Sequence, residues 1–290
     1  MATPRALANN KSSAILDAAE RGGYGVIAVC CYNLEEIIAT CRAAEATSSP
    51  AMVLLFPWAM QQFGPILVNM AADACRSARV PVALHLDHCQ DVALVRYAAT
   101  LPFDSIMVDM SHYEKAENLR LTRELTAYCH ERGIATEAEP GRIEGGEDGV
   151  KDTAALEGIM TTPEQAQEFL DTGIDYLAPA FGNVHGAYSS PGPRAHLQFE
   201  RLEAVQQATK GKVRLVLHGS GSFTEDVYRD CIQRGISKIN VNAQLVEPWR
   251  EMMKTRTEFT PLTKLVEDSI ALFQAEVEKL MKMAGSCGKA

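Results

Sequence analysis

No apolar run in this sequence is long enough to cross a bilayer. The longest, Ala51 to Phe56 continuing through Pro57 to Met60, falls well short of the ~20 residues a spanning helix needs. Basic blocks are missing too. The net charge is −9, and an anionic membrane surface or a nucleic-acid backbone repels such a chain, so neither is an expected partner. Any anion the protein binds has to be met by local basic groups or backbone N–H groups. The eight cysteines form no CxxC pair and no regular framework, and they read as reduced thiols, most of them small buried hydrophobes. The opening MATPRALANNKSSAILDAAERGG lacks a positive-then-apolar signal pattern and reads instead as a short amphipathic helix, and the final Gly-Lys-Ala is not a peroxisomal tripeptide. A cytoplasmic location is therefore expected. No linker, internal repeat or low-complexity tract divides the chain, so residues 1–290 are expected to form one domain.

What the sequence does have is a recurring unit. Eight β-rich runs start at Val26, Ala51, Val80, Ser105, Gly133, Ile174, Lys212 and Ser237, and amphipathic segments such as LEEIIATCRAAEA and NLRLTRELTAYCHERG lie between them. The starts are spaced by about 25 to 40 residues, the length of a βα unit. Glycines such as Gly173 and Gly235 stand where a helix would end in a left-handed cap just before the next strand. The runs are apolar throughout rather than alternating, as parallel strands covered on both faces require. Eight such units predict an α/β fold, a (β/α)₈ TIM barrel. Past Val241 the sequence turns helical, over Gln244–Thr255 and Leu262–Met283, which predicts a C-terminal extension at about 244–285 that covers the barrel or meets another subunit.

In such a barrel chemistry sits at the C-terminal strand ends. Five of the seven histidines fall there: His85 and His88 after the third run, His112 after the fourth, His185 beyond the sixth and His218 after the seventh. Three imidazoles plus an open position form a catalytic zinc arrangement, able to polarise a carbonyl. His85 and His112 read better as hydrogen-bonded groups ordering the surroundings. Asp87, beside His88, is either a strand-end cap or a general acid/base. The stretch Glu137 to Gly149 sets five carboxylates on a glycine-rich segment, either a solvated acidic loop or a mobile lid that delivers a carboxylate. His218-Gly219-Ser220-Gly221-Ser222 offers backbone N–H groups to an anion.

Taken together, LHLDHC around His88, EAEPGRIEGGEDG from Glu137, FGNVHGAY around His185, VLHGSGS at His218 and KINVN at Asn240 resemble the class II, metal-dependent fructose- and tagatose-bisphosphate aldolases over essentially the whole length. The resemblance implies one Zn²⁺ per subunit on His88, His185 and His218. It implies Asp87 as the acid/base for the C4-hydroxyl, Glu147 as the lid carboxylate serving the enolising carbon, and Glu139 and Asp109 as supporting or alternative-metal carboxylates. Gly186, Gly219, Ser220, Gly221, Asn240 and Asn242 would face a small hydroxy-carbonyl substrate. Some relatives use a monovalent cation near the phosphate, and members assemble as dimers or tetramers, so both belong to the expectation. The expected reaction is aldol cleavage or condensation through an enolate, with epimerisation or isomerisation on the same centre and a barrel that has lost catalysis as the other readings.

The departures carry equal weight. Ser189 stands where the family has a phosphate-binding lysine, Gly221 where it has a serine, and Ala243 where it has a threonine. Val29-Cys30 replace Phe-Asn, and Leu54-Leu55-Phe56-Pro57-Trp58 replace Gln-x-Ser-x-Gly. Charge-assisted donors to a phosphate are worth ~1.5–3 kcal/mol each, so losing a lysine and two hydroxyls predicts a remodelled pocket for a less phosphorylated, more apolar substrate. Arg194 is the nearby basic residue that could replace the lysine. The alternative is an ordinary fructose- or tagatose-bisphosphate aldolase.

Overall fold

The structure, a computed structural model, describes residues 7–146, 158–256 and 260–290. Its centre is a closed barrel of eight parallel strands, labelled here in chain order: β1 Val26–Cys30, β2 Ala51–Leu55, β3 Val82–Cys89, β4 Ser105–Val108, β5 Ala135–Ala138, β6 Tyr176–Leu177, β7 Arg214–Leu217 and β8 Ile236–Val241. Each strand pairs with the next in sequence, and β8 closes on β1 with Val26 opposite Lys238 and Ala28 opposite Asn240. The expected barrel is thus the observed one. The sixth strand is shorter than its apolar run suggested, because only Tyr176 and Leu177 find partners on both sides, Glu137 and Ala138 in β5 and Arg214 and Leu215 in β7.

Strand side chains alternate between the two faces of a sheet, and here the alternation separates two cores. Ile27, Val29, Val53, Leu55, Leu84, Ile106, Val108, Ile239 and Val241 point outward into the layer between barrel and helices. Val26, Ala28, Cys30, Met52, Leu54, Ala83, Ala135, Tyr176 and Val216 point inward. The helices α2 (Leu34–Thr47), α4 (Pro65–Ser77), α5 (Val92–Ala98), α6 (Lys115–His130), α7 (Pro163–Leu170), α9 (Phe199–Thr209) and α10 (Glu225–Gln233) cover the outer layer. The sequence reading missed α3 (Pro57–Phe63), which opens with a proline at its first turn, and the single turn α8 (Pro193–His196). Gly235, expected to close a helix, has φ +98°, the left-handed region that ends the turn before β8.

The two C-terminal helices are α11 (Ala243–Lys254) and α12 (Leu262–Met283). Helix α12 buries Phe273, Val277, Leu280 and Met281 and lies along α2, and the tail beyond it donates from Gly288 N to Thr47 O at 2.9 Å. It covers β1 as part of the outer layer, while α11 follows β8 at the C-terminal rim. No described helix is long and apolar enough to cross a membrane. All eight cysteines are free thiols, seven of them buried.

The opposite end of the barrel is closed by α1 (Lys11–Gly22), which sends Ile15, Leu16 and Ala19 into the inner core. Asn10 caps α1 by accepting from Ser13 N and donates from its amide to Asp104 O and Gly133 O at 2.7 and 2.9 Å, tying the helix to the barrel floor. Tyr176 stands up from β6 with its hydroxyl 2.8 Å from Ser12 Oγ and 2.9 Å from Ser13 Oγ. A buried hydroxyl left without a partner costs about 1–3 kcal/mol. Tyr176→Phe is therefore expected to lower unfolding free energy by about 1–3 kcal/mol in denaturant titration, with little change in the m-value; an unchanged stability would show that the hydroxyl plays no part in sealing the floor.

Candidate metal centre

Inward parity on the strands decides which polar residues meet. Ala83 faces inward, so His85 and Asp87 do too; Ala135 carries Glu137 and Glu139 with it, Val216 carries His218, and Ser105 in β4 carries Asp109. His88 should point outward by the same rule, yet it lies 5% exposed at the barrel mouth. Its φ is +43°, a left-handed conformation rare for a residue with a Cβ, and the β3–β4 register shifts between Leu86 and Cys89. That irregularity turns two consecutive side chains, Asp87 and His88, toward one place.

His185 comes from outside the barrel sheet. Val184–His185 forms a two-residue parallel ladder with Glu144–Gly145 at the mouth. The imidazole centroids of His88 and His185 are 5.0 Å apart, those of His88 and His218 4.7 Å, and those of His185 and His218 5.6 Å. One ring nitrogen of each lies within 4.8 Å of the others.

The outer nitrogens are held by carboxylates. His88 Nδ1 is 2.8 Å from Asp109 Oδ2, and His218 Nε2 is 2.9 Å from Glu137 Oε1. Burial would raise the Asp109 carboxyl, but hydrogen bonds from His88 and Ser111 and the charge of His88 outweigh it and hold the group well below the usual range. Burial would likewise raise Glu137, yet Lys238 and His218 bring it down to about 2. A carboxylate on Nδ1 of His88 and another on Nε2 of His218 fix the tautomers with protons outward. His88 Nε2 and His218 Nδ1 then aim their lone pairs at each other across 2.9 Å. Two facing lone pairs repel unless something positive lies between them. Burial disfavours a charged His88, but Asp87, Asp109 and Glu139 push its imidazole up to about 10, so the surround calls for positive charge at that point. A proton or a metal ion would each meet the demand. Burial and the neighbouring His88 and His218 hold His185 well below its ordinary value, leaving a neutral donor. The donor set fits a divalent cation.

Around the triad are acceptors that find no hydrogen-bond partner among the described residues: Asp87 Oδ1, Glu139 Oε2 and Asn240 Oδ1. Asn240 Nδ2 donates to Asp87 Oδ2 at 2.9 Å, which leaves the other Asp87 oxygen without a hydrogen bond. Burial and the charge of Asp109 push Glu139 up to about 8, and its second oxygen accepts from Ile143 N at 2.7 Å.

Two walls flank this centre. On one side Gly186, Gly219, Ser220, Gly221, Asn240 and Asn242 line a cavity of about 170 Å³ together with Gln244, Glu247 and Arg250 of α11. Its hydroxyl is turned away: Ser220 Oγ donates to Asn240 O at 2.6 Å and accepts from Gln244 Nε2 at 3.0 Å. On the other side Phe56 brings its ring within 6.4 Å of the His88 ring, and Tyr32 packs on Phe56 and Trp58 at 5.8 and 6.0 Å. Asn242 Nδ2 bridges the walls by donating to Tyr32 Oη at 2.9 Å.

The structure therefore gathers His88, His185, His218, Asp87, Asp109, Glu139 and Asn240 at one point, with Gly186, Gly219, Ser220, Gly221 and Asn242 beside it. Arg194 does not line the cavity; its guanidinium pairs with Asp226 at 3.0 Å and Asp230 at 2.6 Å on α10. Glu147 lies outside the described residues. His112 stacks on Tyr113, and His85 lies deeper, 2.8 Å from Ser105 Oγ. The sequence reading passed over Lys238, Arg250, Tyr32 and the separate task of Glu137. Inward parity with Asn240 was the available signal for Lys238.

Gly219 shows how tightly the pieces fit. It has φ +62°, and a Cβ there would stand 2.4 Å from Val184 O. The carbonyl before it, His218 O, accepts from Asn183 Nδ2 at 3.1 Å, so the two histidine-bearing segments clasp each other. Gly219→Ala must push Val184–His185 away or abandon its own conformation, at about 1–2 kcal/mol for the left-handed backbone alone. Metal affinity is expected to fall by about 10- to 100-fold, as measured by competition with a chelating dye, and a variant with unchanged affinity would contradict the clasp.

Comparison with known proteins agrees with this geometry. Residues 10–289 match the family described as fructose-bisphosphate aldolase class-II. A "Putative fructose-bisphosphate aldolase" of Coccidioides immitis (strain RS) is 53% identical over 293 residues, covering 98% of this chain and 96% of its own length. A crystal structure of such a protein from the same organism matches with TM-score 0.94 at 53% identity, covering 97% and 98% of the two chains. The YdjI aldolase of Escherichia coli K12 matches with TM-score 0.83 at 28% identity, covering 96% and 98%.

Proposed function

This chain belongs to the class II fructose-bisphosphate aldolase family, and we propose that it is a zinc-dependent aldolase acting on a hydroxy-carbonyl substrate with less phosphate and more apolar surface than a sugar bisphosphate. The observation that carries the metal-dependent reading is the convergence of three imidazole nitrogens within 4.8 Å beside an Asp87 oxygen that has no hydrogen-bond partner among the described residues. Three nitrogen donors suit zinc, with a position left for substrate. When bound, the ion would supply Lewis-acid polarisation of a substrate carbonyl.

The protein's own groups do the rest. In the cleavage direction Asp87, oriented by Asn240, takes the proton of the hydroxyl on the carbon that becomes an aldehyde. The carbon–carbon bond breaks and its electron pair passes to the carbon beside the ketone. A carboxylic acid, assigned to Glu147, returns a proton to that carbon, so charge and atoms balance. Condensation reverses each transfer. Asp109 and Glu137 hold the imidazoles in place, and Glu139 stands behind them as a supporting carboxylate.

The substrate assignment rests on the two walls. Phe56 and Trp58 lie in the stretch that is polar in the family, Phe56 beside the His88 ring and Trp58 packed on Tyr32, and Ser220 spends its hydroxyl on the Asn240 carbonyl. A second reading, an ordinary bisphosphate aldolase, draws on the relatives' names and on Arg250 at the cavity rim. The assembly we assign is a cytoplasmic homodimer or homotetramer, consistent with exposed apolar side chains such as Ile66 at 67% and Leu262 at 76%; a monovalent cation near the glycine-lined cavity completes the expected cofactors.

Metal-replete enzyme assayed against fructose 1,6-bisphosphate and against unphosphorylated hydroxy-ketones is expected to favour the latter in kcat/KM by at least about 10², the equivalent of one to two lost charge-assisted donors. Ordinary efficiency on the bisphosphate would select the second reading. Exhaustive chelation should abolish turnover in both cases, and added Zn²⁺ should restore it. Asp87→Asn keeps the side-chain volume but removes the proton acceptor, so kcat is expected to fall by about 10²- to 10⁴-fold with bound zinc unchanged by metal analysis.

A further inference from the structure

Beneath the three imidazoles the barrel holds a second polar layer whose Lys238 and His85 the proposed chemistry does not use. Lys238, pointing inward from β8, has no solvent exposure, and neither do Glu137 and His85. Its ammonium donates to Glu137 Oε2 at 2.7 Å and lies 3.4 Å from His85 Nε2. His85 Nε2 in turn lies 3.7 Å from both Asp87 Oδ1 and Glu137 Oε2. His85, Asp87 and Glu137 are close enough to suggest a cation site of their own. The ammonium already sits against that cluster, so its resident cation is part of the chain.

Stability gives a poor reason for this arrangement. Burying an ion pair costs desolvation that its attraction only roughly repays, and apolar residues of similar volume often do as well. Geometry gives a better one. Glu137 divides its two oxygens: Oε2 goes to Lys238, and Oε1 is 2.9 Å from His218 Nε2. With Oε2 tethered, the carboxylate plane cannot rotate away from the imidazole. His218 then keeps its proton on Nε2 and its Nδ1 toward His88.

We propose that Lys238 is a positioning residue which, acting through Glu137, fixes the tautomer and ring orientation of His218 for metal binding. This rests on the zinc-site reading above. Lys238 touches no substrate and transfers no proton; it supplies a hydrogen bond from below that the metal ligand requires from outside. Lysine suits the task because a single ammonium binds one oxygen, whereas a guanidinium fork would claim both.

The test measures zinc affinity of the apo protein by competition with a chelating dye, with apo thermal stability recorded separately. Lys238→Met is expected to weaken zinc binding by about 10- to 100-fold, the usual effect of losing support behind a ligand. Glu137→Gln should weaken it comparably, and the double variant should lose no more than Glu137→Gln alone, since the lysine acts through the glutamate. Lys238→Gln, which keeps a donor for Oε2, should stay within a few-fold of wild type and serves where the methionine variant does not fold. In the wild type, imidazole ¹⁵N shifts should report His218 protonated at Nε2. Additive losses in the double variant, zinc affinity within twofold of wild type for Lys238→Met, Lys238→Gln binding as weakly as Lys238→Met, or His218 protonated at Nδ1 would each overturn the assignment. A wild-type protein that binds no zinc would instead sink the metal-site reading itself.

Discussion

Side chains on a β-strand alternate faces, and in a closed barrel one of those faces has nowhere to go but inward. Apart from His185, which a separate ladder at the mouth supplies, the groups around the imidazoles follow from that constraint and from one breach of it. Alternation, carried one residue past the strand ends at Asp109, Glu139 and His218, brings these three together with Asp87, Glu137, Lys238 and Asn240 into a common interior. Left alone, the same rule would send His88 out among the helices with Leu86. A single left-handed residue, φ +43° at His88, cancels the alternation for one step and sets a metal-ligand candidate next to a proton acceptor. The strain is local and the barrel around it is rigid, which is the usual condition for such a conformation to persist.

The interior is also a study in charge arranged by depth. At the rim, carboxylates surround the facing nitrogens and demand a cation. One layer below, a lysine answers the same demand permanently. Carboxylates this deeply buried would ordinarily take up protons; Asp109 and Glu137 stay anionic because their partners are as fixed as they are, while Glu139, where burial and the charge of Asp109 outweigh His88, is pushed the other way. Three carboxylates within one barrel thus have different tasks because their neighbours differ, not because their burial does.

Much of this was legible beforehand. The eight apolar runs and their spacing stated the barrel, and histidines at strand ends pointed to the three imidazoles that its mouth brings together. The sequence was silent where tertiary closure decides. Two residues of a longer apolar run became β6 because only they meet partners on both flanks. Arg194 looked available, being basic and near the glycine-rich loops, but the helix that follows offers it Asp226 and Asp230, which no local pattern reveals. Lys238 reads as an ordinary strand lysine until the register opposite Val26 shows which way it points. Tyr32 and Asn242, 210 positions apart, meet only once β8 has closed on β1.

The seal that α1 makes across the barrel floor has a consequence for traffic. With Ile15, Leu16 and Tyr176 filling that end, the interior is, among the described residues, closed below and approached from the rim where the imidazoles stand. Substrate, solvent and both fragments of a cleaved molecule must share one doorway, between an aromatic jamb on one side and a glycine-lined one on the other.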